Sequence, residues 1–600
     1  MKKAKEIKVN FYNKRIEGID IKLGSFKKKS MVISIIKLAL ILAIAILLIM
    51  KTLSPVMFAV LGVGFIVALV IHERIVKRQE KQKLLRKINE HEVKYLDYQF
   101  PLSDFGNAFN NPDHNYTWDI DIFSEHGLFH FINRTTTIPG KMKMAECLSA
   151  PVSTDPEKLR NRQEAVNELA DKVDFRQEIQ TTGMRIEDKS KTIDTLYNLF
   201  SDSLYLFKDR KRVFFIHLLP IFTIMAAAFC QVFKISWWLF IGFILIQFVL
   251  NKLTEKNVSR VYMYTSRNFR ILKSYSNIFN EIEKQDFTCE VLNDLQRELF
   301  VKDRAASYHI KKLATLLEWF DVRLNPMFHF MLNNIFLWDL QCIYRIEKWR
   351  QKTQTEIPKW IDVLGHLEAL SSLGNLAFNH PHWTMPQFEP EFHFEARELG
   401  HPLIPESELV KNDIKLEKKG DILIVTGPNM AGKSTFLRTV GVNIVLALSG
   451  APVFAEYFKL SPLNLYTSMK ATDSLDKGLS LFYAELLRLK KIMDAVLNNE
   501  SVFFITDEML KGTNVLDRQK GSIALIKQMI TSQANGIVAT HDLELADLEK
   551  AYPQNISNHH FDSYVESDKL FFTYKLKSGR CNSFNALVLM KKIGIILDKI

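Results

Sequence analysis

Four stretches of the chain are apolar along their whole length. Met31–Met50, "MVISIIKLALILAIAILLIM", carries one charge, Lys37, and Pro55–Ile71 follows after the short turn "KTLS". Val213–Phe233 and Ile235–Leu250 form a second pair, separated by Lys234. A helix that is apolar all round has no aqueous face, and about 20 such residues cross a bilayer core. The pattern therefore predicts two helical hairpins in a membrane, about four spans in all. His217, Pro220 and Gln231 interrupt the second pair. A further apolar stretch, "LNPMFHFMLNNIFLWDLQCI" from Leu324 to Ile343, holds His329, Asn333, Asn334 and Asp339. Polar groups are expensive inside lipid, so this one predicts a buried or membrane-skimming helix. The surrounding Asn251–Lys352 has few breakers and predicts long helices.

The C-terminal third has a different rhythm. "DILIV" (Asp421–Val425), Val502–Ile505 and "GIVAT" (Gly536–Thr540) are short apolar runs that predict buried strands. Between the first two, Phe436, Leu437, Val440, Ile444 and Leu448 recur at helical spacing. Strands alternating with helices predict an α/β domain. The Pro-rich "HPHWTMPQFEPEF" (His380–Phe392) predicts the linker into it, and its histidines a loop rather than a metal site.

At 600 residues and 47% hydrophobic content the chain can bury several cores, and 11% aromatic residues exclude a disordered chain. A net charge of +12 suits nucleic acid or an anionic membrane surface. Its placement favours the membrane. Lys22, Lys27, Lys28 and Lys29 precede the first pair of apolar runs, and Arg74, Lys77, Arg78, Lys81 and Lys83 follow it. "KDRKR" (Lys208–Arg212) precedes the second pair; Lys252, Lys256 and Arg260 follow. Each inter-helix turn holds one lysine. Positive residues stay inside, so both hairpins are expected to enter and leave from the cytoplasm, with Lys37 near enough to that side to snorkel. A second span follows at once and no small-residue cleavage site is evident, so the N-terminus does not read as a cleaved signal peptide. The five cysteines (Cys147, Cys230, Cys289, Cys342, Cys581) are scattered and predict neither a zinc site nor a disulfide framework.

After "DILIV" comes Gly427-Pro428-Asn429-Met430-Ala431-Gly432-Lys433-Ser434-Thr435. This is a glycine-rich phosphate loop in its required context, after a strand and before a helix. Glycines let the backbone wrap phosphate oxygens, Lys433 reaches the β/γ-phosphates of ATP, and Ser434 can ligate Mg²⁺. "SVFFITDEM" ends a second strand in Asp507, placed for the Mg²⁺ shell, and Glu508, placed to polarise an attacking water. His541, after the third strand, can hydrogen-bond the γ-phosphate or that water.

These motifs resemble the MutS family of mismatch-repair ATPases. "TGPNMAGKST", "DSLDKGLSLFYAEL" (Asp473–Leu486), "TDEMLKGTN", "ATHDLEL" and "LGHPLIPE" all fit it. Upstream, Asp121–Leu169 resembles the start of that family's helical core and Trp360–Phe378 its return into the ATPase. The resemblance implies that Lys433 binds phosphate, Ser434 and Asp507 serve Mg²⁺, Glu508 activates water and His541 senses the γ-phosphate. It also implies that Ser480 reaches across a homodimer to complete the neighbour's site, and that Tyr574 touches the base. DNA, mismatched or branched, is the implied ligand, and an unknown protein partner is a further candidate. There are departures. Leu481 stands where the family commonly has Thr, Lys511 where it has Arg, and Leu409 where an aromatic would stack on adenine. No Phe-x-Glu wedge occurs in the first 29 residues, so a mismatch-recognition domain is not expected.

The expected organisation is a cytoplasmic segment (1–29), a membrane hairpin (30–72), a cytoplasmic linker (73–118), helical core (119–212), a second hairpin (213–250), further lever or core helices (251–385) and an ABC-type α/β P-loop ATPase domain (386–600). The expected location is the inner membrane of a bacterium, with the ATPase on the cytoplasmic side. The expected activity is ATP hydrolysis coupled to DNA binding; the other reading is a mechanochemical membrane ATPase acting on a protein or lipid partner without DNA.

Overall fold

The first two apolar runs lie in helices far longer than the runs themselves. The computed structural model describes residues 2–52, 54–101, 104–150, 153–186, 210–265, 269–301, 304–470, 481–566 and 569–581. In it α1 (Lys2–Ile49) and α2 (Pro55–Leu96) form an antiparallel hairpin. Ser54 caps α2 by accepting from the Met57 N–H, and Pro55 sits in the first turn, where a missing N–H costs nothing. Salt bridges Lys5–Asp97 (2.9 Å) and Arg86–Asp20 (2.8 Å) tie the polar ends together. Lys37 and Ser30 both bond the ring of His72 across the hairpin. Between them the large side chains face outward: Ile35 is 57% exposed, Leu38 58%, Val63 61%. A soluble surface rarely carries so broad an apolar face. Past Ile71 the helix continues through the segment expected as a linker, as far as Leu96. Pairs one turn apart, Glu73–Lys77 and Arg86–Glu90, support it in water.

Near its end α2 delivers Glu92 into a buried cluster. The Glu92 carboxylate accepts from Arg134 (Nε, 2.5 Å), Asn375 (2.9 Å) and Asn379 (2.8 Å), and Asn379 accepts from Tyr12 of α1. The Arg134 guanidinium lies 3.8 Å from the centre of the Tyr95 ring. Burial alone would push the Glu92 carboxyl up; Arg134 and the two amides more than offset it and hold the group below the usual carboxylate range.

The chain divides into two compact units. One comprises Met1–Arg134, Lys143–Val173 and Ala369–Ile600; the other comprises Thr135–Met142 and Asp174–Glu368. In the second unit α3 (Arg210–Phe233) and α4 (Trp238–Thr265) pair as the other apolar hairpin, and Thr223 and Gln247, both fully buried, bond each other inside it. Pro220 lies within α3. Helices α5 (Ala306–Phe320), α6 (Pro326–Phe336) and α7 (Trp338–Thr353) follow. Eleven residues make α6 too short to cross a bilayer. It exposes Met327 (74%) and Phe330 (62%) and is held to α4 by the Asn251 amide on the Asn333 carbonyl. Among the described residues four helices, α1 to α4, are long and apolar enough to cross a membrane.

Among the described residues the C-terminal region of the first unit carries two sheets. Strands β1 (Gln387–Phe388), β2 (Phe394–Leu399), β3 (Asn412–Leu416) and β5 (Tyr457–Leu460) form a four-stranded sheet in the order β1-β5-β2-β3. A six-stranded sheet has the order β10-β9-β4-β8-β7-β6. Its strands are β4 (Ile422–Thr426), β6 (Asn464–Ser468), β7 (Val502–Asp507), β8 (Asn535–Thr540), β9 (Ile556–Glu566) and β10 (Lys569–Ser578). All are parallel except β10, which returns antiparallel to β9. Every residue of β4 and β8 is buried, which is why these strands read as continuous apolar runs instead of alternating ones. The fold is thus mixed α/β at the C-terminal end with a mostly helical region before it.

Candidate active site

In a parallel sheet the groups that do chemistry collect at the carboxyl ends of the strands. Here β4, β8 and β7 are neighbours in register, with Thr426 opposite Thr540 and Ala539 opposite Asp507. Three loops leave side by side: the one starting at Gly427, the one starting at Glu508 and the one starting at His541. Register alone therefore assembles residues more than 100 positions apart.

The loop from Gly427 to Gly432 leads into α8 (Lys433–Leu448). Gly427 has φ +144° and Gly432 φ +104°; a Cβ on Gly427 would stand 2.7 Å from the Phe561 carbonyl, and one on Gly432 3.0 Å from the Tyr574 ring. Met430 is also left-handed (φ +69°) and 77% exposed, whereas Ala431 is fully buried. Gly427→Ala should strain the loop by about 1–3 kcal/mol and weaken nucleotide binding at least tenfold. A titration with a fluorescent ATP analogue checks this; unchanged affinity would show that the loop tolerates the methyl.

Lys433 is buried and donates to the Gly427 (2.8 Å) and Pro428 (3.1 Å) carbonyls, with His541 Nε2 at 3.2 Å. Burial pushes its ammonium pKa down, while Asp507 and Glu508 pull it back. The Ser434 hydroxyl donates to Asp507 Oδ2. His541 Nε2 lies 2.8 Å from Glu508 Oε1 and 2.6 Å from Asn429 Oδ1. Thr435 lies exposed in the first turn of α8. Glu508 adopts a left-handed backbone (φ +56°), which turns its carboxylate toward these groups, and its N–H donates to the Ala539 carbonyl. The hydrogen bond from His541 pulls the Glu508 carboxyl down; burial opposes it, and the charges of Lys511 and Lys433 add to the pull, leaving the group at about 2.

That depressed value has a sign that can be tested. A lowered pKa keeps the carboxylate ionised further into acid. Removing its largest cause, as in His541→Ala, returns Glu508 toward the ordinary value of about 4.3. The acid-side fall in kcat/KM should then begin at higher pH in the variant than in the parent. Identical acid limbs in the two pH–rate profiles would exclude Glu508 as the group they report.

Tyr574 reaches the loop by a device invisible in its local sequence. The register of β9 against β10 shifts between Phe561 and Ser563, leaving extra residues on β10, and Tyr574 in that bulge has φ +52°. A bulge re-aims a side chain, and this ring ends beside Gly432. Ser480 lies outside the described residues, as does most of the Asp473–Leu486 segment. Helix α9 (Leu481–Leu497) follows it and supplies a residue that motif reading did not single out. Buried Glu485 accepts from the backbone N–H groups of Leu510 (2.5 Å) and Lys511 (3.0 Å), so it shapes the loop that carries Glu508. A carboxylate on the apolar face of the helix was the available signal.

The arrangement fits a polyphosphate with a hard divalent cation. The glycine loop leaves a cradle that a Cβ would obstruct, a buried ammonium stands at its rim, and a hydroxyl and a carboxylate oxygen meet at one point. Among the described residues no cluster of three or more His, Cys, Asp or Glu forms a metal site of its own.

Comparison with known proteins agrees with this geometry. Residues 423–595 match MutS domain V. The DNA mismatch repair protein MutS of Persephonella marina is 31% identical over 243 residues, which are 40% of this chain and 28% of that protein. The DNA mismatch repair protein MutS of Aquifex pyrophilus is 30% identical over 237 residues, 39% of this chain and 27% of that protein. The chain thus matches little more than a quarter of the length of these relatives. The glycine loop, the carboxylates at the end of β7 and the histidine after β8 all fall within the matched domain, and MutS domain V, a P-loop ATPase, is what this chain shares with that family.

Proposed function

We propose that this protein is a membrane-anchored ATPase that binds and hydrolyses ATP at composite sites shared by two copies of the chain, coupled to binding of mismatched or branched DNA. The observation that carries the ATPase reading is the meeting of Lys433, Ser434, Asp507, Glu508 and His541 at three adjacent strand ends. In this reading the Gly427–Gly432 backbone and Lys433 bind the β/γ-phosphates, and Tyr574 lies against the base. Glu508, held ionised, orients the attacking water and takes its proton, while His541 holds that carboxylate and touches the γ-phosphate. Ser434 and Asp507 would hold Mg²⁺, which supplies positive charge against the phosphates. Ser480 would complete the neighbouring copy's site, making an ABC-type dimer. The exposed apolar faces of α1 to α4 support the membrane anchor, with the ATPase on the cytoplasmic side by the positive flanks.

The second reading, a mechanochemical ATPase acting on a protein or lipid partner without DNA, is favoured by α2. That helix runs unbroken from its apolar stretch to the Glu92 cluster in the same unit as the ATPase sheets. ATP turnover by the purified full-length protein in detergent, with and without duplex, mismatched and branched DNA, separates the two. Stimulation by DNA that disappears at high salt supports the DNA-coupled reading. Turnover indifferent to every DNA but responsive to lipid selects the second. No turnover at all overturns the ATPase reading.

A further inference from the structure

Away from the ATP site, helices α5 and α7 of the second unit flank an open-sided cavity of about 740 Å³. Tyr308, Lys312, Thr315 and Trp319 line it from α5 at helical spacing; Arg345, Lys348, Trp349 and Lys352 line it from α7 in the same way, and Arg304 closes one end. Five of the lining side chains are cations and none is a carboxylate. Among the described residues none of the five forms an ion pair. All five are exposed, so water screens their mutual repulsion and leaves them open to an anion.

Two of the cations lie over aromatic rings. The Arg304 guanidinium lies 4.5 Å from the centre of the Tyr308 ring, and that of Arg345 5.5 Å from the Trp319 ring. Stacking a guanidinium on an aromatic face leaves its N–H edge free, and that edge matches the oxygens of a phosphate. Between them His309 turns its backbone carbonyl to the Trp349 indole N–H (2.8 Å), while its own Nε2 is buried without a hydrogen-bond partner. Burial, with the charges of Arg304, Lys312 and Lys352, holds that imidazole below its usual pKa.

We infer that this cavity binds a small soluble ligand carrying two or more phosphate groups, with Arg304, Arg345, Lys348 and Lys352 taking the phosphates. Its volume lies within the range of small-molecule sites, about 300–1,000 Å³. It is concave and confined to two helices, whereas nucleic-acid interfaces of even single modules spread over roughly 600–1,000 Å². The inference does not rest on the proposed ATPase function, because no residue of the cavity belongs to that site.

The test is calorimetric titration of inorganic tripolyphosphate, without magnesium, into full-length protein in nanodiscs of neutral lipid. Lys433→Ala removes phosphate binding by the P-loop amine. That background should bind tripolyphosphate at one site, and adding Lys348→Gln with Lys352→Gln should weaken it at least tenfold. The same pair placed on the Lys433-intact chain should leave ATP turnover unchanged, showing that the protein is folded. Arg345→Gln alone should give an intermediate loss. Three results would overturn the inference: no binding in the Lys433→Ala background, binding unaffected by the cavity substitutions, or capture only of single-stranded DNA or of anionic-lipid nanodiscs without tripolyphosphate binding.

Discussion

Glu508→Gln should bind ATP with near-parental affinity and hydrolyse it about 10²–10⁴-fold more slowly. The amide is the same size and keeps the left-handed turn at φ +56°, so the loop between β7 and Lys511 is undisturbed. What is lost is the ionised oxygen that His541 holds at 2.8 Å and that this hydrogen bond and the neighbouring positive charges keep deprotonated against the effect of burial. Single-turnover measurements with saturating ATP isolate the chemical step from nucleotide release. A variant within tenfold of the parent would remove Glu508 from the role of base and leave Asp507 as the remaining carboxylate at the strand end. A variant that no longer binds nucleotide would instead mean that the carboxylate is structural.

Glu92→Ala should destabilise the first unit by about 3–5 kcal/mol, because it strands a buried guanidinium. Arg134 is 11% exposed and its salt-bridge partner is Glu92, while Asn375 and Asn379 lose their common acceptor in the same step. At roughly 2–4 °C per kcal/mol the unfolding midpoint in detergent falls by about 10 °C. The wild-type pair also sets a pH window. The Glu92 pKa is lowered by folding, so its contribution is present above the unfolded carboxyl pKa and is lost as pH falls through the folded one. Glu92→Ala should therefore flatten the acid side of the stability profile. A midpoint shift under 2 °C would show that water replaces the carboxylate at little cost.

The candidate site was legible because its parts are local. A buried strand, a glycine loop and a helix follow one another within 30 residues, and each catalytic candidate comes directly after an apolar run. The parallel sheet then brings the runs together, so reading strand ends was nearly enough. Tyr574 is different. The family likeness nominated it, but its aim depends on a register shift between two strands, which no neighbouring residue announces. Glu485 was missed because its partners are backbone N–H groups 25 and 26 residues on. The four apolar helices were legible by length and composition; their extent was not. "KINEHEVKYL" falls in the segment expected as a cytoplasmic linker, yet it contains Glu92, whose acceptor role is set by partners 42, 283 and 287 positions away. Long-range polar contacts leave no periodic trace.

The unbroken course of α2 has a consequence for insertions. Ile71 and Glu92 are 21 residues apart in one helix (92 − 71), which sets them about 32 Å apart along its axis at 1.5 Å per residue. Each residue also turns the helix by about 100°. The stretch therefore works as both a ruler and a phase lock: it fixes how far the buried carboxylate stands from the apolar run and which way that run faces when the carboxylate is seated. Two residues inserted near Lys81 would lengthen the ruler by only about 3 Å but turn the apolar run by roughly 200°, away from its partner helix α1. Seven inserted residues would lengthen it by about 10 Å and bring the phase back to within about 20°. The chain should accept changes in height far more readily than changes in angle.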